Sequence, residues 1–308
     1  MVRESQAMNC RKIKKVIKSK PTIEGAGVHL KRAFGFSEAP AIDPFLLLDD
    51  FRSSNPGHYL KGFPWHPHRG IETITYILGG QVEHGDSMGN KGIIGPGDVQ
   101  WMTAGSGIIH QEMPKGDKND YMGGFQLWAN LPASHKMMHP RYRDVTSSQI
   151  PEVSPTPGVK IKIICGEVGG IKGPVQDIVT DPEYFDVTIG PARELTHPTK
   201  PGHTVLAYIV GGKAKFCKEN NPFNFSVEPA NYFDIQRDAY LSNGNLVIFG
   251  DGEEIVVTTD DEPVRFLLIS GKPIGEPVAW YGPIVMNTQE ELQLAFDEYN
   301  NGKFIKHK

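Results

Sequence analysis

Two short stretches carry residues of metal-ligating type at matched spacing. His66 and His68 flank Pro67, and His110 and Glu112 flank Gln111. In an extended strand, side chains two residues apart point to the same face. Pro67 removes a backbone donor and disfavours a helix, so strand spacing is the relevant one. Two such pairs on neighbouring strands supply three imidazoles and one carboxylate to a single ion. That donor set suits a first-row transition metal that keeps open positions.

Such a site needs stiff strands to hold it, and the surrounding chain provides them. Glu72-Thr-Ile-Thr-Tyr-Ile-Leu78 is rich in β-branched and aromatic residues, and Gly79-Gly80 separates it from Gln81-Val-Glu-His84. Val99 to Thr103, Ile108 to Met113 and Gly124 to Asn130 are further strands, each bounded by glycine-rich turns. Asp43-Pro-Phe-Leu-Leu-Leu-Asp49 is a short apolar run of the kind that forms a buried strand. Short strands at intervals of roughly 8–12 residues, with little helical periodicity, indicate a barrel or sandwich.

The chain has 308 residues, enough for two domains that each bury a core. Ser147 to Gly158 contains Pro151, Pro155 and Pro157 and reads as a stiff extended linker, so domains are expected over 1–150 and 151–308. Tyr76-Ile-Leu-Gly-Gly80 recurs as Tyr208-Ile-Val-Gly-Gly212, which points to internal duplication. At the same offset Pro198, Lys200 and Thr204 stand where His66, His68 and Glu72 stand in the first half. The second half is therefore expected to lack a metal. Thr288-Gln-Glu-Glu291 is a capping box that opens one helix, with Leu292, Ala295, Phe296 and Tyr299 on its apolar face and Asn301-Gly302 at its end.

A net charge of −4 provides no basic field to attract nucleic acid or membrane. No apolar run approaches spanning length, and the charged N-terminus does not read as a secretory signal. Residues 1–9 read as a loose tail. Cys10, Cys165 and Cys217 are far apart and odd in number, as free thiols of a reducing compartment would be. A cytoplasmic location is the default expectation, with the nucleus open to a eukaryotic protein. His58, His84, His135 and His139 sit in turn-rich or polar contexts and are expected to be exposed. Arg69 and Trp101 suit either a pocket wall or structural packing.

The stretch from His66 to Gly79 fits the first signature of the cupins, H-x-H-x3-E-x6-G. Longer strings are more specific. Phe63-Pro-Trp-His-Pro-His-Arg-Gly70, Pro96-Gly-Asp-Val-Gln-Trp-Met-Thr-Ala-Gly105 and Gly107-Ile-Ile-His-Gln-Glu-Met-Pro114 resemble pirin, a bicupin family, as do the run Asp43 to Asp49 and the tail Tyr281 to Thr288. The resemblance implies an all-β fold of two cupin (double-stranded β-helix, or jelly-roll) barrels with a C-terminal α-helix. It implies one metal, usually iron as Fe(II), in the N-terminal barrel, held by His66, His68, His110 and Glu112. Ordinary cupins use the first-motif glutamate, here Glu72, and a second-motif histidine whose place falls on Trp101. The closer match to pirin gives that role to Glu112 and makes Glu72 structural.

The resemblance also implies a substrate class. Pirins are associated with flavonol 2,3-dioxygenation, the opening of quercetin by dioxygen, and Glu112 would be the acceptor of the substrate proton. A second expectation is an iron-dependent, redox-sensitive binding protein that docks on a Rel-type transcription factor. A third is a hydrolase or isomerase that uses a divalent ion as Lewis acid.

Arg11 to Lys20 holds six basic residues, but Ile13, Val16 and Ile17 interleave with them. A strand with a charged solvent face explains this pattern better than a nucleic-acid arm. Changing Arg11, Lys12, Lys14 and Lys15 to glutamine should therefore leave duplex-DNA retention in a gel shift unchanged. Tight binding that falls steeply with salt and vanishes in this variant would refute the strand reading.

Overall fold

The computed structural model describes residues 9–218, 221–229 and 237–307. Apart from Asn9, the expected N-terminal tail lies outside the described residues. The described chain is mostly β-strand with one α-helix, Gln289–Asn300. The chain forms two compact units, which divide between residues 150 and 151 but exchange their ends. Residues up to 19 belong with 151–176 and 181–273, whereas 20–150 and 177–180 belong with the segment from 274 on.

The unit that contains the histidine pair is built from two antiparallel sheets. A seven-stranded sheet runs in the order Arg141–Val145, Val99–Thr103, Ile71–Gly79, Gly123–Asn130, Phe45–Asp50, Val28–Phe34, Lys20–Glu24. A four-stranded sheet runs Phe63–His68, Ile108–Lys115, Gln81–Asp86, Lys91–Ile94. Ile71–Gly79 has strands on both sides, and eight of its nine residues are buried. That burial explains its run of isoleucine, threonine and tyrosine. Phe45–Asp50 is buried throughout, as its apolar run requires.

The chain passes from the small sheet to the large one at Arg69-Gly70. Gly70 has φ +78°, and a Cβ there would lie 2.0 Å from the Val285 carbonyl oxygen, so only glycine fits. The backbone of this bend is held on every side. Gly70 N–H donates to Gly105 O at 2.8 Å, and Val285 N–H donates to Arg69 O at 3.1 Å. Lys136 is buried and donates through Nζ to Gly70 O, Asn130 Oδ1 and Val285 O at 2.9, 2.7 and 2.9 Å. Three acceptors match the three N–H donors of an ammonium.

Arg69 is buried and structural. It meets Glu298 at 2.8 Å, donates to Phe304 O at 2.9 Å, and lies 4.3 Å from the centre of the Phe304 ring. It ties the C-terminal helix to the barrel. Thr288 caps that helix by accepting from Glu291 N–H at 3.2 Å, while Glu291 accepts from Thr288 N–H at 3.1 Å. Leu292 and Ala295 are buried, Phe296 is half-buried and Tyr299 is at the exposed margin.

In the other unit a nine-stranded sheet includes Val159–Cys165, Glu183–Ile189, Val264–Gly271, Thr204–Ala214, Asn245–Phe249 and Ile13–Lys18. The basic segment therefore contributes a strand, but Arg11 is not on a solvent face. It is 1% exposed and donates to Thr199 Oγ1, Gly250 O and Lys200 O at 2.7, 2.7 and 2.8 Å. The expected linker also folds back, because Glu152–Val153 pairs with Val159–Cys165. Cys10, Cys165 and Cys217 are free thiols. No helix among the described residues is long and apolar enough to cross a membrane.

His197 sits in this core, 5.5 Å from the centre of the Phe185 ring, and its Nε2 has no hydrogen-bond partner. Burial lowers its pKa to about 4. Between the unfolded value of about 6.5 and pH 4 the unfolded chain binds a proton that the folded one does not, so stability falls with pH there. The loss should reach about 3 kcal/mol at most. Urea midpoints measured from pH 7 to pH 4 should fall in the native protein and fall less in His197→Met. Equal slopes would show that the acid loss lies elsewhere.

Candidate metal centre

Strand Ile108–Lys115 pairs with Phe63–His68 so that His110 stands opposite His66. The register then shifts before Glu112, which stands opposite Phe63. His66, His68 and His110 converge. Nε2 of His66 lies 3.1 Å from Nε2 of His68 and 2.9 Å from Nε2 of His110. Nδ1 of His66 faces the Pro64 carbonyl at 2.8 Å, and Nδ1 of His68 faces the Pro283 carbonyl at 3.0 Å. A carbonyl only accepts, so both Nδ1 atoms carry the proton and both Nε2 atoms present lone pairs. Burial, then the neighbouring imidazoles, holds His68 and His110 well below the usual histidine range, so both are neutral at pH 7. Lone pairs aimed at one another repel unless a cation lies between them. The donor set therefore fits a metal ion, and it is the one such cluster among the described residues.

Glu112 is on the same strand and lines the same cavity, but it is not part of the three-histidine cluster. Its Oε1 accepts from the Thr75 hydroxyl at 3.1 Å. Glu72 is engaged elsewhere: Oε2 accepts from Trp101 Nε1 at 2.7 Å and Oε1 from Thr103 Oγ1 at 2.8 Å. Burial raises its carboxyl pKa. Trp101 is thus a structural residue and not part of the cavity wall.

His66 and His68 line a cavity of about 700 Å³. Its walls are mostly apolar and include Leu30, Leu47, Phe51, Phe63, Val82 and Trp128. Trp128 sets its ring edge-on to His68, with centroids 5.0 Å apart. The exception is a polar row of Arg32, Asp49, Gln126 and Thr75, each in register with the next across four strands. Arg32 grips Asp49 with two bonds of 2.8 and 2.7 Å. Burial raises the Asp49 carboxyl to about 6 against that pull, which leaves it ionised at neutral pH.

Sequence reasoning missed this row and misplaced His84. His84 is 5% exposed, stacks on Tyr142 at 4.7 Å and lies 5.3 Å from the His110 ring. Its Nε2 is 3.5 Å from Asp86 Oδ2. The signal was the alternation of Val82, His84 and Asp86, which puts the histidine on the face of a buried valine. Of the other histidines expected to be exposed, His139 is exposed, and His58 and His135 are half-buried.

The sequence matches the pirin family model over residues 27–129 and that of the pirin C-terminal cupin domain over residues 184–305. The chain belongs to the pirin family. A pirin-like protein of Caulobacter vibrioides is 40% identical over 298 residues, covering 96% of this chain and 100% of that protein. Pirin-1 of Arabidopsis thaliana is 40% identical over 294 residues, with 94% and 93% covered. Among solved structures, a quercetin 2,3-dioxygenase from Acinetobacter baumannii superposes with a TM-score of 0.83 at 29% identity, covering 96% of this chain and 98% of its own. The pirin resemblance and the two-cupin, all-β fold with one C-terminal helix are thus established.

Protein purified without chelator should carry about one transition metal per chain, and His66→Ala or His68→Ala should empty it. Glu112→Gln should lower metal affinity moderately, and Glu72→Gln should keep the metal but lose about 1.5–3 kcal/mol of stability, as for bonds to a charged group. Elemental analysis with thermal melts checks both. An empty Glu72→Gln beside a fully loaded Glu112→Gln would reverse the assignment.

Proposed function

We propose that this pirin is a mononuclear metal dioxygenase that opens a flavonol ring, with Fe(II) held by His66, His68, His110 and Glu112. The observation that carries this reading is the convergence of three Nε2 atoms, two of them from histidines that line a roomy, aromatic-walled cavity. The likeness to a quercetin 2,3-dioxygenase over nearly the whole chain supports the substrate class.

Bound iron would supply Lewis acidity and one-electron chemistry toward an enolic hydroxyl and dioxygen. The chain's own residues supply binding, orientation and proton transfer. The apolar walls take a flat ring system and exclude water, which strengthens every polar contact inside. Glu112 takes the proton of the flavonol 3-hydroxyl. Thr75 holds Oε1 and so fixes the plane of that carboxylate. Pro64 O and Pro283 O hold the tautomers of His66 and His68.

An oxygen electrode tests this directly. Flavonol should drive dioxygen uptake that depends on added Fe(II), and Glu112→Gln should slow it by about 10²–10⁴-fold, the usual value of general-base assistance. Flavonol bound by the metal-loaded protein with no oxygen uptake would overturn the enzymatic reading.

A further inference from the structure

Apart from Thr75, which bonds Glu112, the polar row across the cavity takes no part in the histidine cluster. Arg32, Asp49, Gln126 and Thr75 all line the cavity and occupy adjacent strands at one register level. At its inner end, Thr75 bonds Glu112 and lies against the Gln126 amide. At its outer end stands the Arg32–Asp49 pair, with Glu24 2.9 Å from the Arg32 guanidinium. Neighbouring strands are about 4.8 Å apart, so Asp49 lies about 10 Å across the sheet from Thr75. The same inner face otherwise presents Leu30 and Leu47 to the cavity.

Asp49 is buried and Arg32 half-buried, and an ion pair taken largely out of water is a poor stabilising device, since apolar residues of similar volume usually serve as well or better. Here the pair faces open space instead of a packed core. Asp49 has two carboxylate oxygens with about four acceptor positions, and Arg32 occupies two of them. The remaining positions can accept from a ligand, while the guanidinium keeps the carboxylate charged.

We propose that the Arg32–Asp49 pair is a second recognition subsite, which binds a hydroxyl-bearing ring of a multi-ring phenol at the end remote from the histidines. The proposal rests on the flavonol reading above and sharpens it. The cavity grips its ligand at two ends, and Asp49 selects for a phenolic O–H donor that a bare ring lacks. A site built to hydrogen-bond a hydroxyl rejects the analogue without it, because the carboxylate would then be left unpaired on that side.

Anaerobic calorimetry on metal-loaded protein, with quercetin and 3-hydroxyflavone as the two probes, tests the assignment. Both share the 3-hydroxy-4-keto unit, and only quercetin carries hydroxyls on its other rings. The native protein should prefer quercetin by about tenfold or more, the worth of one hydrogen bond to a charged group. Asp49→Asn should bring the two affinities together while 3-hydroxyflavone affinity and metal content stay as in the native protein. The double variant Arg32→Leu/Asp49→Leu, which leaves only the exposed Glu24 carboxylate to water, should do the same if Asp49→Asn fails to fold. Equal binding of the two probes by native protein, or a preference that survives both variants, overturns the subsite and leaves the dioxygenase reading standing. If neither probe binds the native protein, the flavonol reading falls and takes the subsite with it.

Discussion

The site depends on the backbone bend at Arg69-Gly70. His68 precedes it by one residue, and Ile71 begins a strand of the other sheet. The bend exposes carbonyls in a buried place, and buried polar groups must be paired. Lys136 takes the Gly70 carbonyl and Val285 N–H takes that of Arg69. The same segment sends the Pro283 carbonyl to His68 Nδ1. One stretch after residue 280 therefore braces the bend, fixes a ligand tautomer and, through Phe304 and Glu298, neutralises Arg69. The C-terminal segment belongs with the first half of the chain for this reason.

Two neighbouring strands then do the positioning. Pairing of His110 with His66 across one ladder brings imidazoles from different parts of the chain within reach of one ion. Side-chain alternation supplies His68 from the same strand as His66. Backbone ladders are stiff, so the geometry of the cluster is set by the fold, and the repulsion among lone pairs is what an ion there would relieve. The opposite sheet contributes the Thr75 hydroxyl that steadies Glu112, so both sheets must be in register for the site to form.

What could be read from the sequence was whatever has a local period. Pairs at i, i+2 disclosed the histidines, β-branched runs disclosed the strands, and Thr288 with Glu291 disclosed the helix cap. The polar row could not be read, because Arg32, Asp49, Gln126 and Thr75 come from four strands and meet only through register. Arg11 was misread for a similar reason. Nothing near it in sequence shows that Thr199, Lys200 and Gly250 will surround its guanidinium. The exchange of chain ends between the two units was equally hidden, since a strand does not announce which sheet it will join. His84 is different, because its parity with Val82 was visible, and only the polar look of its neighbours hid it.

Glu72 and Trp101 form one buried hydrogen-bonded unit. In the general cupin pattern the glutamate of the first motif and a histidine of the second both ligate the metal. Here tryptophan occupies the histidine's place, and its indole N–H bonds the glutamate at 2.7 Å. The two departures are one change. An indole has a donor and no acceptor, so it cannot ligate but can hold a carboxylate. With Thr103 as second donor, Glu72 is satisfied in a dry setting where an unpaired carboxylate would be costly. The bend at Gly70 lies between Glu72 and the histidine pair, so the glutamate sits in the large sheet while His66 and His68 sit in the small one. With these two positions closed to an ion, the small sheet is where donors remain, and Ile108–Lys115, paired beside Phe63–His68, brings His110 into the cluster and places Glu112 at the cavity wall two residues on.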